Sequence, residues 1–244
     1  MDEIKISNLA IGTEPKLLCT VVEEDVISTI TGINEAMIAG ADLIELRIDK
    51  LREDGMVSEV VSRVNAPSLV VCRPKHLDGF FEGNEEKRIE RLLKGLESGA
   101  HAIDIELTTE HKLRQRVINA VKSKGTPLLI CYENFEETPS KDKLLEILTE
   151  EVSLGADIAK FAVKANSYED LVTVLQTTID AKKLISKPFV AIAMGKFGSA
   201  SRPLACIMGS SMTYCARVKG KEGAPGQLPV KETREIIDLL KSTL

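Results

Sequence analysis

The sequence predicts an α/β protein folded as one (β/α)8 barrel, and three observations carry that expectation. Short apolar runs alternate with longer amphipathic segments eight times, the pattern of parallel strands joined by crossover helices. The length of 244 residues suits one barrel, which typically takes about 250 residues. The stretch from Thr20 to Asp25 after the first run contains no glycine, which argues against an open doubly wound sheet with a phosphate-binding loop there. No Pro/Ser/Gly linker, internal repeat or low-complexity run divides the chain, so a single domain spanning residues 1–244 is expected.

Eight strand candidates follow in order: Leu17 to Val22, Asp42 to Asp49, Ser68 to Arg73, Ala102 to Leu107, Pro127 to Glu133, Asp157 to Val163, Phe189 to Gly195 and Ser210 to Ala216. Each is short and rich in Val, Ile or Leu, as a strand covered on both faces should be. Between them run helical patterns. From Glu85 to Ser98, Ile89, Leu92, Leu93 and Leu96 recur at three and four residues with charged residues between, giving one buried stripe. Ser140 opens another, with Leu144, Leu145, Ile147 and Leu148 on its stripe, and Gly155 stops it.

Charge and composition narrow the function classes. Apolar residues make up 43% and charged residues 28% of the chain, enough apolar surface for one core. The formal net charge of -5 is spread without a basic stripe, so nucleic acid is not an expected partner. Met1 to Lys16 lacks the apolar run of a signal peptide, and no stretch is long enough to span a bilayer; no membrane association is expected, and the expected compartment is the cytoplasm. Five cysteines, Cys19, Cys72, Cys131, Cys206 and Cys215, lie in apolar runs without metal-ligand spacing and read as buried thiols; no metal is expected.

Lys160, inside the run GADIAKFAVKA, is the most informative residue. An ammonium on a strand covered on both faces loses solvation, so its pKa should fall and its amine become nucleophilic. The alternative is a lysine paired with a neighbouring carboxylate. Lys164, at the strand end, reads as solvated. Glu45, Arg47 and Asp49 share one side of their strand by the period of two. They read either as an ion-pair layer closing the bottom of a cavity or, through Arg47, as a grip on an anionic ligand. Arg73, Asp104 and Glu106 add further polarity to strands that should be apolar. Ser199, Ser201 and Arg202 precede a helical run, Gly195 and Gly198 permit close backbone approach, and GAPGQL forms a loop with Gly223, Pro225, Gly226 and Gln227.

Taken in order, ELRID, CRP, IDIEL, FEETPSK, ADIAKFAV, MG followed by SR, GSSMTY and APGQ resemble the type I 3-dehydroquinate dehydratases over nearly the whole chain. That resemblance implies a dimeric (β/α)8 barrel that removes water from 3-dehydroquinate to give 3-dehydroshikimate in the shikimate pathway, using no cofactor. It implies that Lys160 forms an imine with the substrate ketone. Glu45, Arg47 and Arg73 then correspond to substrate-binding positions, Arg202 to the receiver of the substrate carboxylate, and Gln227 to the lid glutamine.

Three departures accompany the resemblance. Where the family has Ser-Tyr-His, with histidine as acid/base, this chain has Cys131, Tyr132 and Glu133. Where the family has Glu-Gly-Gly after the third-strand arginine, this chain places Leu77 and Asp78, and Gly223 replaces a lid Ser or Thr. Leu77 would remove a like-charge clash with Glu133, which is then expected to serve as the base with a pKa raised toward neutrality by burial. Slower chemistry, by about 10- to 10^4-fold, is expected of a carboxylate in place of imidazole. Two other readings stay open: an aldolase-like imine enzyme acting on another keto compound, or an altered paralogue binding quinate-like acids. Of the three histidines, His101 and His111 read as surface residues, while His76, three residues beyond Arg73, keeps a possible place at the catalytic face.

Overall fold

Alternation along each strand sends one set of side chains into the barrel and the other toward the helices, and this gives the protein two apolar layers. The structure, a computed structural model, describes residues 1–243. Its barrel strands are β3 (Lys16–Val21), β4 (Leu43–Arg47), β5 (Ser68–Val71), β6 (Ala102–Glu106), β7 (Leu128–Asn134), β8 (Ile158–Lys164), β9 (Phe189–Met194) and β10 (Met212–Cys215). They form one parallel sheet in the order β10-β3-β4-β5-β6-β7-β8-β9. Between β9 and β10 the barrel is drawn together by the Ser211 N–H donating to the Phe189 carbonyl at 2.8 Å and the Ala191 N–H donating to Ser210 Oγ at 3.2 Å.

Helices α1 (Val26–Ile38), α2 (Asp54–Arg63), α3 (Glu85–Glu97), α4 (His111–Lys124), α5 (Lys141–Ser153), α6 (Tyr168–Leu184), α7 (Gly195–Gly198), α8 (Ser201–Met208) and α9 (Val230–Lys241) follow or join the strands. Their starts are capped by side chains: Ser140, expected from the sequence, and Asp25, Asn84 and Ser167 each accept a backbone N–H of the first turn. Ile89, Leu92 and Leu96 of α3 are buried, with Leu93 partly so. Among the described residues, no helix is long and apolar enough to cross a membrane.

The outer layer, between strands and helices, gathers Leu17, Cys19, Val21, Ile44, Leu46, Val70, Ile103, Ile130, Phe161 and their neighbours. The inner layer holds Leu18, Leu43, Leu69, Ala102, Leu129, Ile158, Val190 and Met212. It is closed from below by an antiparallel hairpin that the sequence reading did not foresee, β1 (Ile4–Ile6) and β2 (Leu9–Ile11). Ile6 and Ile11 are fully buried within that inner layer. The lower barrel is thus an apolar plug, and polar residues begin one turn of alternation higher.

Candidate active site

Above the plug, the inward positions nearest the C-terminal strand ends are Thr20 on β3, Glu45 and Arg47 on β4, Asp104 and Glu106 on β6, Cys131 and Glu133 on β7, Lys160 on β8 and Tyr214 on β10. Arg73 follows β5 directly. Eight strands converge here, so residues far apart in sequence meet in one cavity, as barrels arrange their sites. The cavity measures about 430 Å3 including its mouth, and Glu45, Arg47, Arg73, Glu133, Lys160, Arg202 and Gln227 all line it.

Lys160 is 2% exposed. Its Nζ lies 3.0 Å from Glu133 Oε1 and 3.8 Å from Asp104 Oδ2, and 4.3 Å from the centre of the Tyr214 ring. This geometry overturns the expected direction of its pKa. Burial does work against the ammonium, but the groups facing it, Tyr214, Glu133 and Asp104, outweigh burial and hold its pKa well above the ordinary lysine value. Burial keeps the Tyr214 phenol neutral, so at neutral pH the effective counter-charge is carboxylate. Lys160 therefore rests as an ammonium and must give up a proton before it can attack a carbonyl.

The direction expected for Glu133 is also reversed. Burial raises its pKa, but Arg73 at 3.2 Å and Lys160 at 3.0 Å lower it further, leaving it below the usual carboxylate value. Glu133 is thus an ionised acceptor already bonded to the lysine, not a carboxylic acid poised near neutrality. A parallel register puts Cys131 beside Lys160 on adjacent strands, which brings Glu133, two residues on, over the lysine side chain.

Arg73 joins the carboxylates. Its guanidinium donates to Glu106 Oε1 at 2.9 Å and to Cys131 Sγ at 3.2 Å, and lies 3.5 Å from Asp104 and 3.9 Å from Glu45. Arg88, from α3, reaches in to pair with the other oxygen of Glu106 at 2.8 Å. Arg47 is held by Asp49 through two bonds of 2.8 Å, and Asp49 also accepts the Phe80 N–H at 3.0 Å. The Glu45, Arg47 and Asp49 group therefore sits at the open end of the barrel rather than closing its bottom, a task that Ile6 and Ile11 perform.

The loop after β10 covers this end. Arg202, 1% exposed, donates to the carbonyls of Gly226, Pro225 and Tyr214 at 2.8, 3.1 and 2.8 Å. Those three bonds leave two of its five N–H groups unspent. Among the described residues no carboxylate pairs with it, and burial lowers its pKa to about 10. Gln227 donates to Thr20 Oγ1 at 3.0 Å, and Thr20 donates to Glu45 Oε2 at 2.6 Å, so the loop is tied to the barrel wall. Gly223 fits because a Cβ there would come within 2.3 Å of Thr20 Cγ2. Thr20 fills the space that a lid side chain would need. Gly195 and Gly198 bend the backbone against the lid and β9: Gly195 N–H donates to Pro225 O at 3.2 Å.

Other residues singled out from the sequence lie elsewhere. His76 is exposed and faces the outer groove with Glu85 and Thr108, whereas its neighbours Leu77 and Asp78 line the cavity. His101 is half-buried, its Nδ1 3.0 Å from Ser68 Oγ at the strand starts, and His111 is exposed. Lys164 is exposed, and Ser201 serves the β9 backbone through Ala193. All five cysteines are buried, but Cys131 is more than packing: its Sγ donates to Asp104 Oδ1 at 3.0 Å inside the site. Thr20 and Tyr214 were overlooked. The period of two, counted from the apolar Leu18 and Met212, would have turned both inward. Among the described residues no three His, Cys, Asp or Glu side chains are placed to hold a metal ion.

Comparison with known proteins finds relatives along the whole barrel. Residues 17–243 match the family model described as type I 3-dehydroquinase. A 3-dehydroquinate dehydratase of Methanocaldococcus jannaschii is 37% identical over 227 residues, 92% of this chain and 99% of the relative. One from Methanosarcina acetivorans is 37% identical over 210 residues, 83% and 86% of the two chains. The crystal structure of the Geobacillus kaustophilus 3-dehydroquinate dehydratase superimposes with a TM-score of 0.92 at 28% identity, covering 99% of this chain and 97% of that one. The type I enzyme of Clostridium difficile, solved with covalently modified comenic acid, gives a TM-score of 0.92 at 25% identity over 100% and 99% of the chains. With the family model spanning the barrel and relatives of this identity along its length, the chain belongs to the type I 3-dehydroquinase family.

Proposed function

We propose that this protein converts 3-dehydroquinate to 3-dehydroshikimate and water through an imine on Lys160, with Glu133 moving the protons, as a step of the shikimate pathway. The observation that carries this reading is the buried Lys160 ammonium held 3.0 Å from the Glu133 carboxylate in a cavity that also contains Arg202 without a counter-charge. Relatives named 3-dehydroquinate dehydratase support the substrate. A type I relative from Clostridium difficile solved with covalently modified comenic acid is in keeping with covalent chemistry in this fold.

Each proton has a place in this scheme. Glu133 takes one proton from the Lys160 ammonium, and the freed amine adds to the substrate ketone carbon while the carbonyl electron pair moves to oxygen. That oxygen receives the proton from Glu133. A second nitrogen proton reaches it by the same carboxylate, water leaves, and the third stays on the iminium nitrogen. The iminium draws electrons from the neighbouring carbon, so Glu133 can abstract its proton. The carbon–carbon double bond forms as the hydroxyl beyond departs with that proton as water, and a water molecule then hydrolyses the iminium. No metal or organic cofactor is required in this scheme. Arg202, with two free N–H groups and an unpaired charge, receives the substrate carboxylate, while Glu45, Arg47, Arg73 and Gln227 face the hydroxyl groups. The functional unit we infer from the family is a homodimer.

The test is direct. Purified protein with 3-dehydroquinate should produce the ultraviolet absorbance of the conjugated enone, and borohydride should trap a covalent adduct on Lys160. Lys160→Met should abolish both. Binding without turnover in the wild type would instead mark a quinate-binding paralogue, and adducts with other ketones alone would mark an aldolase-like enzyme.

A further inference from the structure

The reaction scheme leaves one demand unmet. When Lys160 adds to the carbonyl carbon, negative charge develops on oxygen, and a buried site needs a donor aimed at that charge. Glu133, bonded to two cations at rest, is spent in shuttling protons from the lysine to that oxygen and does not stay behind as a fixed donor. Arg202 is committed to lid carbonyls and to the far side of the ligand, and Arg73 is surrounded by four carboxylates. Tyr214 lines the same cavity and carries a hydroxyl that has no partner of its own.

Four observations single it out. Tyr214 lies on β10 with its ring 4.3 Å from Lys160 Nζ. The residue is 4% exposed and lines the same cavity as Lys160 and Glu133. Its hydroxyl is buried and has no hydrogen-bond partner, which is costly for a phenol unless a ligand or ordered water supplies one. Finally, burial pushes the phenol well above its ordinary pKa, so the hydroxyl keeps its proton. A buried tyrosine that stays protonated is well suited to donating a hydrogen bond to an oxyanion, and poorly suited to acting as a base.

We propose that the Tyr214 hydroxyl is a catalytic hydrogen-bond donor that receives the substrate ketone oxygen as Lys160 adds to the carbonyl carbon. The inference rests on the imine reading above and adds a residue to it. Tyr214 keeps its proton throughout: its O–H stabilises the oxygen while charge grows there, and Glu133 still delivers both protons that leave as water. Asp104 Oδ2, buried without a hydrogen bond and 3.8 Å from Lys160 Nζ, borders the same space.

The experiment separates binding, imine formation and elimination. Tyr214→Phe removes one oxygen and keeps the ring over the lysine. In rapid-quench borohydride trapping with 3-dehydroquinate, followed by mass spectrometry, imine formation should slow by about 10²- to 10³-fold, the effect of deleting one oxyanion donor. Quinate, which lacks the ketone, should bind as tightly as to wild type. With substrate deuterated at the carbon that loses its proton, the isotope effect on turnover should shrink, because imine formation has become limiting. Trapping at the wild-type rate overturns the proposal, as does an equal loss of quinate affinity, which marks a packing role. Should Tyr214→Phe not fold, 3-fluorotyrosine placed at position 214 gives a stronger donor and should form the imine at least as fast as wild type; a slower reaction overturns the proposal. Wild-type protein that forms no adduct removes the imine reading itself, whereas normal wild-type adducts with an indifferent Tyr214→Phe remove only the role of the tyrosine.

Discussion

Replacing Glu133 by Gln tests whether one carboxylate both frees the lysine and takes the substrate proton. The substitution keeps shape and one oxygen but removes a charge 3.0 Å from Lys160 and 3.2 Å from Arg73. At 3.0 Å and an effective dielectric constant of about 20, the attraction lost by the ammonium is about 5 kcal/mol. That attraction is part of what raises the lysine pKa, so its loss must move the lysine ionisation to lower pH. Free amine then appears at lower pH than in wild type. Elimination, however, loses its base, worth about 10²- to 10⁴-fold in rate. Borohydride trapping across a pH series reads the first effect, and enone absorbance reads the second. The expected result is an adduct that still forms, with its pH onset shifted downward, and turnover reduced by at least about 10²-fold. Turnover close to wild type would refute the assignment of Glu133 as base. An adduct onset moved upward would refute the electrostatic argument, because removing an anion cannot stabilise the ammonium.

The lid and a buried glutamate provide two further expectations. Gly223→Ser introduces a Cβ 2.3 Å from Thr20 Cγ2, so the loop should stand away from the barrel, KM should rise by about 10-fold and Thr20→Ala should partly restore it; a packing loss of this kind is worth about 1–2 kcal/mol. Steady-state kinetics of the single and double variants provide the check. Glu151 of α5 is fully buried, accepts the Lys160 backbone N–H at 2.8 Å through one oxygen and leaves the other unpaired. Burial, with Asp104 and Glu150 adding repulsion, raises its pKa well above the ordinary value against the pull of the Lys160 N–H and ammonium. Its contribution to stability is therefore full below the unfolded-state pKa and declines as pH rises toward the folded-state value. Glu151→Gln should gain stability relative to wild type between pH 5 and pH 8, by about 1–3 kcal/mol. Urea unfolding at both pH values measures it, and an unchanged difference would show that the folded state does not raise the Glu151 pKa.

Much of this architecture is legible along the chain because it depends on local periodicity. Leu17, Cys19 and Val21 alternate with Leu18 and Thr20, and Ile89, Leu92 and Leu96 repeat at helical spacing, so strand and helix positions follow from neighbours a few residues away. Charge on a strand covered from both sides must be paired or put to use, which singled out Lys160 and Arg73, whereas Glu133 and the helical Arg202 were expected only from the resemblance to the family. The hairpin escaped notice because its strands hold three residues each, too few to show alternation, and it turns at Ser7 with a positive φ of 56° rather than at a glycine.

What the sequence by itself determined is the barrel, its order of elements and the charged residues that it must hold; these follow from solvation and spacing within short stretches. Only the tertiary structure decided the ionisation of those charges. Lys160 rests protonated and Glu133 deprotonated because each meets the other, with Arg73 and Asp104, from separate neighbouring strands of the barrel. Burial acts on a residue alone and can be read from its neighbours in the chain. The field of an opposite charge falls with distance in space, and which charges stand within 4 Å is set by how eight strands close on one another.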